Sequence, residues 1–208
     1  DLPLRPPPAD SKTSHRRLQF AQWITDKRNP LAARVFVNRL WQHHFGNAIV
    51  RSPNNFGFKS DPPTHPQLLD WLAAEFMDGE WQIKRLHKLI MLSNTYQQSS
   101  QHPQQKSYEE LDFENRRIWR QNRRRLDAES LRDAMLAVNG QLNRSFGGEG
   151  FYPRMSSEAL EGLSRKGNSW GRSTIQDRRR RSIYMVTKRS RLLPLMKTFD
   201  FADTTLPC

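Results

Sequence analysis

The segment from Asn29 to Phe76, NPLAARVFVNRLWQHHFGNAIVRSPNNFGFKSDPPTHPQLLDWLAAEF, constrains the fold more tightly than any other part of the chain. Val37, Leu40, Trp41 and His44 recur at helical spacing, which predicts a helix over about 31–45 with these side chains on one face. Asn29-Pro30 marks its start, because the residue before a proline is pushed out of the helical region. Gly46 is placed to cap its end. Leu68, Leu69, Leu72, Ala73 and Phe76 form a second stripe over about 66–77. Pro66 suits the first turn of that helix, where its missing N–H costs nothing, and Thr64 or His65 is placed to cap it. The loop between them, 52–66, is long and rich in proline, a pattern typical of functional loops or loops packed by their own side chains, here Phe56 and Phe58. Trp41 and Trp71, one in each helix, are both expected in the core.

Residues 1–14 are Pro-rich without an apolar period and read as a linker or arm. Further helices are expected over about 15–25 (Leu18, Phe20, Ala21, Trp23), 81–94 (Ile83, Leu86, Leu89, Ile90, Leu92 inward), 112–122 and 192–199. Asp127 is placed to cap a helix over 127–139, in which Leu131, Met135 and Val138 repeat at helical spacing and Gly140 is the stop. Ile183 to Val186 reads as one short strand. Residues 97–110 are Gln-, Ser- and His-rich and read as mobile, and the glycine-rich 144–182 reads as partly disordered. The fold class is therefore mainly α, a compact multi-helix domain over 15–208 with a short strand element and long loops. Its core draws on the helices near 15–25, 31–45, 66–77, 81–94 and 127–139. Hydrophobic residues are 36% of the chain, below the usual ~45–50%. Six Trp and eleven Phe compensate, since each aromatic buries a large area.

Charge narrows the class of partner. The formal charge is +13 and unevenly spread. Residues 165–191 hold ten basic side chains and one acid, Asp177. Arg116, Arg117, Arg120, Arg123, Arg124 and Arg125 form a second cluster, while 61–111 and 126–164 are each net negative. Clusters of this kind suit an anionic polymer. The alternative is pairing with the acidic segments or with a neighbouring domain. Candidate polyanion-binding residues are the six arginines of the 116–125 run with Trp170, Arg172, Arg178, Arg179, Arg180 and Arg181. Arginine beside an aromatic suits single-stranded nucleic acid. It equally suits sulfated or carboxylated sugars, whose anions fit the guanidinium fork. The lone cysteine, Cys208, allows no internal disulfide and no Cys-based zinc or haem site. No run of ~18 apolar residues is present to span a membrane.

Other constellations have simpler readings. His43 and His44 point about 100° apart on a helix, and no metal-binding spacing links them to His65 or His87, so no metal is expected. Asp127 reads as a cap, and Asp133 and Glu129 as partners for Arg132 or the Arg123–Arg125 run. Arg34, Asn38, His43, Asn54 and His65 are candidates for a polar pocket between the second helix and the 52–66 loop. Alternatively these Arg and Asn side chains pin that loop through its backbone carbonyls. Gly147-Gly148-Glu149-Gly150 lacks the Lys-Ser/Thr of a phosphate loop and reads as a turn.

The opening segment is followed in order by LHKLIMLSNTYQQSS (Leu86–Ser100), RRRLDAESLRDAMLAVNGQLN (Arg123–Asn143) and RRSIYMVTKRSRLLPLMKTFDFAD (Arg180–Asp203). This pattern resembles the planctomycete family of domain of unknown function 1553 across most of 15–208. The resemblance implies a large exported protein in which this domain follows a second uncharacterised one, often behind a c-type haem module. It also implies a fold that continues beyond Cys208. The haem motif Cys-x-x-Cys-His is absent, so no haem role transfers and no cofactor is expected. The resemblance supplies no catalytic residues. The expected function is a non-catalytic binding or scaffold module of an exported multidomain protein. Its expected partners are an anionic polysaccharide, favoured over nucleic acid, and neighbouring domains of the same polypeptide. The alternatives are a hydrolase acting on anionic polysaccharide and a nucleic-acid-binding domain.

Overall fold

Asn29 organises the entry to the longest helix. Its side chain accepts from the Leu31 amide at 3.1 Å and donates to the Trp23 carbonyl at 3.2 Å. Pro30 then occupies the first helical turn. The computed structural model describes residues 10, 12–156, 160, 170–188 and 192–202, so most of the arm read over 1–14 lies outside the described residues. Within the span read as one domain, contacts divide the chain into two compact units, 1–124 and 125–208.

The first unit holds α1 (Arg16–Ile24), α2 (Pro30–Phe45), α3 (Pro66–Asp78), α4 (Ile83–Met91), α5 (Asn94–Gln97) and α6 (Gln105–Leu111). Its core joins Val37, Leu40, Trp41 and Phe45 of α2 to Leu69, Leu72 and Phe76 of α3 and to Leu86 and Ile90 of α4. Trp41 stacks on Phe45 with ring centroids 4.1 Å apart. In the middle of this core Asn38 is 0% exposed. Its amide nitrogen donates to the Val50 carbonyl at 3.0 Å, and its amide oxygen accepts from the Val50 N–H at 2.8 Å. Buried backbone groups must be paired, and Asn38 supplies both partners to the chain leaving α2. The Thr64 amide then donates to the Ile49 carbonyl at 2.9 Å, which brings the far end of the loop back to the start of α3.

The second unit holds α7 (Ala128–Val138), α8 (Ile175–Arg178), a 3₁₀ turn (Ser182–Tyr184) and α9 (Pro194–Thr198). Asp127 caps α7 by accepting from the Ser130 amide at 2.6 Å. Among the described residues its buried core is Ala128, Phe151, Met185 and Met196. Polar contacts do much of the joining. Arg132 donates to the Arg180 carbonyl at 3.1 Å and to Ser182 Oγ at 3.0 Å. Asp133 accepts from Ser182 N at 2.8 Å and from its Oγ at 2.7 Å. The fold is mainly helical, and among the described residues strand pairing is limited to isolated bridges such as Phe151 with Met185.

Several expectations are corrected. Helix α1 forms, but none of its residues is buried, because it packs little against the other helices. Trp71 is 50% exposed; it sits one residue before Leu72, off the Leu69–Leu72–Ala73–Phe76 stripe. In α4 only Leu86 and Ile90 are buried, leaving Ile83, Leu89 and Leu92 exposed. Phe56 packs on the core as expected, but Phe58 is exposed. The helix placed at 112–122 lies earlier, at α6 within the segment read as mobile. Asn115 and Ile118 take φ values of 52° and 54°, which interrupt a right-handed helix. The stripe of Leu131, Met135 and Val138 does not enter the core; Met135 and Val138 are exposed, and α7 is held by Arg132 and Asp133 instead. The strand expected at 183–186 is the 3₁₀ turn followed by the single bridge at Met185. Of the segment read as partly disordered, 157–159 and 161–169 lie outside the described residues.

Asn38→Ala should destabilise the protein by about 2–4 kcal/mol, because two buried backbone groups lose their partners at ~1–3 kcal/mol each. Trp41→Ala should cost about 3–5 kcal/mol, whereas Trp71→Ala should cost about 1 kcal/mol or less. Denaturant unfolding of the three variants checks the order. Equal losses at Trp41 and Trp71 contradict this packing.

Candidate functional site

The arginine-rich run 116–124 is set by one asparagine. Asn115 is buried, and its Oδ1 accepts from the Trp119 amide at 2.9 Å. Its Nδ2 donates to the Arg120 carbonyl at 2.7 Å and to Asn122 Oδ1 at 3.0 Å. Asn tolerates the left-handed conformation this turn needs better than most residues. The turn delivers Asn122 and Arg124 to the end of α2, where they donate to the Phe45 carbonyl (3.0 Å) and the His43 carbonyl. Those carbonyls have no helical partners and carry the negative end of the helix dipole. Gly46 closes α2 at φ +85°, and a Cβ there would meet Arg124 Cδ at 3.0 Å. The result is a cavity of about 510 Å³ lined by Gly46, Asn47, Ser100, Arg120, Arg123 and Arg124 among others. Among the described residues no Asp or Glu lines it. Arg120 lies 4.9 Å over the Trp119 ring, and its Nε is buried with no hydrogen-bond partner among the described residues.

The rest of this cluster is distributed. Arg116 bonds Glu114 at 2.7 Å and holds that carboxyl below its ordinary value. Arg51 approaches the same carboxylate at 3.6 Å. Arg117 is exposed, and its amide rather than its side chain bonds Asp112. Arg125 belongs to the second unit and lies 4.0 Å from Asp200.

The second cluster divides into struts and free ends. Arg180 is 6% exposed, donates to the Glu149 carbonyl at 2.7 Å and to the Gly147 carbonyl, and lies 4.0 Å over the Tyr184 ring. Arg178 Nε donates to the Thr174 carbonyl at 3.4 Å. The Arg179 carbonyl accepts from Asn143, and Arg181, though exposed, reaches the Tyr184 hydroxyl. Among the described residues Asp177 makes no ion pair with these arginines. It forms a capping box with Thr174, accepting from its Oγ1 at 2.6 Å. Trp170 and Arg172 line a second cavity, of about 430 Å³, with Tyr152, Arg154 and Arg178. Arg154 and Tyr152 escaped the sequence reading, because nothing in their spacing signals that the chain returns to Trp170.

The five polar-pocket candidates each have their own partner or position. Arg34 bonds Asp70 at 2.6 Å and holds its carboxyl below the ordinary value. Asn38 serves Val50, and Asn54 accepts from Arg39 at 2.8 Å. His65 meets Thr64 Oγ1 at 2.9 Å, and His43 is exposed. None of the five lines either arginine cavity or the apolar groove of about 590 Å³ formed by Trp41, Leu68, Trp71, Leu89 and Leu92. His44 is half-buried, with Nε2 2.8 Å from His87 Nδ1 and its ring edge-on to Tyr96. Burial first, then His87, Arg124 and His43, push its pKa down. Among the described residues no three His, Cys, Asp or Glu side chains are grouped as metal ligands. No helix there is long and apolar enough to cross a membrane.

A family model described as PSD1, Protein of unknown function (DUF1553), matches residues 16–208, and the chain belongs to that family. No curated protein and no solved structure matches it.

Arg180→Ser should cost about 2–4 kcal/mol, since two loop carbonyls lose a charged donor. Arg172→Ser, at an exposed side chain, should change stability by no more than about 0.5 kcal/mol. Unfolding curves separate the two. For His44, the lowered folded pKa means that the unfolded chain takes up the proton first. Its stability contribution is complete above the ordinary value of 6.5 and is lost as pH falls through the depressed folded value. The melting temperature should fall below about pH 6.5 less steeply in His44→Gln than in the wild type. Parallel pH profiles overturn this.

Proposed function

We propose that this member of the DUF1553 family is a non-catalytic binding module of an exported multidomain protein, and that its ligand is an anionic polysaccharide. The observation that carries the reading is the cavity at the end of α2, where Arg120, Arg123 and Arg124 meet with no acid among the described lining residues. Guanidinium forks match carboxylate and sulfate oxygens and stay charged at every accessible pH. The exported setting is proposed on the family resemblance alone. Trp119 is already engaged by Tyr108, stacked at 5.5 Å, and by Arg120. That favours sugars over nucleic acid, which needs an open aromatic face for its bases. The binding reading over the hydrolase reading is supported by the carboxylates suited to acid–base work. Asp127 caps α7 and Asp133 accepts from Ser182.

The test is a titration with heparin, and with uncharged dextran as control, at 50 and 200 mM salt. Binding releases counterions, so wild-type affinity for heparin should fall about tenfold or more between the two conditions. Arg117→Ser with Arg123→Ser, both exposed, should weaken it further at an unchanged melting temperature. Absence of heparin binding at low salt, or binding that ignores salt, rejects the proposal.

A further inference from the structure

The second cavity has the construction of a site for a single anionic group. The chain leading into it is fixed where Phe151 meets the 3₁₀ turn. The Phe151 amide donates to the Tyr184 carbonyl, and the Val186 amide to the Phe151 carbonyl, both at 2.8 Å. Two bonds then tie 152–153 to 170–173. The Tyr152 amide donates to Ser173 Oγ at 2.9 Å, and Trp170 Nε1 donates to the Pro153 carbonyl at 3.0 Å. The Tyr152 ring lies against Gly171 so closely that a Cβ there would sit 2.4 Å from it. Only glycine allows this wall.

Three arginines face the space so made: Arg154, Arg172 and Arg178. Arg154 and Arg172 are exposed, and among the described residues neither has a hydrogen-bond acceptor or a carboxylate partner. Among the described residues no acidic side chain lines the cavity. The nearest acid in sequence to Arg178, Asp177, is held in its capping box. Trp170 is only 9% exposed, with Lys188 Nζ 5.5 Å from its ring centroid and Tyr152 edge-on at 5.7 Å. It shapes the wall and offers no bare face to a nucleobase.

We infer that this cavity binds one sulfate or carboxylate group together with the sugar ring that bears it. Its volume lies in the range of small-ligand pockets, and the convergent guanidinium groups recognise the anion directly. This inference rests on the polysaccharide reading above and adds to it a discrete site in the second unit, with Arg154 and Arg172 as its principal contacts.

The experiment is calorimetric titration of the 208-residue chain with three probes: a sulfated heparin disaccharide, an unsulfated uronic-acid disaccharide and a short single-stranded oligodeoxynucleotide. The variants are Arg154→Ser with Arg172→Ser, and Gly171→Ala, which fills the wall while keeping every charge. At least one disaccharide should bind the wild type, and the double variant should bind it tenfold or more weakly at the same melting temperature. The disaccharide that binds more tightly identifies the anion. Gly171→Ala, if it folds, should also lose disaccharide binding, which a nonspecific basic surface would not. Long heparin should still bind both variants through the cavity at the end of α2. Equal disaccharide affinity in wild type and double variant overturns the site. So does a wild type that binds heparin but neither disaccharide, and in both cases the polysaccharide reading stands. Oligonucleotide binding tighter than either disaccharide and lost in the double variant overturns the sugar assignment. If the wild type binds neither heparin nor disaccharide, both inferences fall.

Discussion

The two hydrogen bonds between the Asn38 amide and the backbone of Val50 hold the first unit in register. A fully buried Asn among Val37, Leu40 and Trp41 is costly unless every polar atom is paired. Here it imitates a neighbouring strand, giving one donor and one acceptor to a chain that has left its helix. Ala48, Ile49 and Val50 can then be buried although they belong to no strand or helix. With Val50 fixed, Ile49 presents its carbonyl to Thr64, and α3 begins where its stripe faces α2. The C-terminal end of α2, from which this chain departs, is held in the same way. Asn122 and Arg124 complete its last carbonyls, and the arginine cavity forms around them.

The structure changes the meaning of the basic charge. Several arginines are consumed by backbone carbonyls rather than by carboxylates: Arg124 by His43, Arg180 by Gly147 and Glu149, Arg132 by Arg178 and Arg180. Such bonds satisfy buried acceptors without cancelling the cation, so the field persists while the side chain is immobilised. A formal charge of +13 counts these struts and the exposed ends alike. Only Arg117, Arg123, Arg154 and Arg172 are both exposed and without a described side-chain partner among the arginines considered as contacts.

Helices α2 and α3 were legible because their apolar stripes match the partner each finds, and Asn29, Asp127 and Gly140 mark boundaries through local chemistry that needs no tertiary context. Stripes mislead where no partner arrives. The pattern of α1 is amphipathic enough to suggest burial, yet Leu18 and Phe20 stay exposed. In α7 the periodic Met135 and Val138 face outward, while the interior contacts are made by Arg132 and Asp133, which composition assigns to the surface. The clusters containing the site arginines could be seen in the sequence. Which of those arginines are struts could not, because that depends on where carbonyls such as those of Gly147 and Glu149 come to lie. The pairing of Tyr152 with Gly171 and Trp170 is a long-range closure, so no spacing could announce Arg154.

In the second unit the described backbone is stitched at points rather than along ladders. Ala128 to Asp200, Asn143 to Arg179, and Phe151 with Tyr184 and Val186 are separate pairings, each at its own crossing. A ladder shares the cost of opening among consecutive amides, so they resist solvent together. Isolated stitches do not share it. Outside α7, deuterium uptake among the described residues of this unit should therefore read as single slow amides among fast neighbours. Its cohesion passes instead through side chains that reach from one stitch to the next, Arg132 and Arg180 above all.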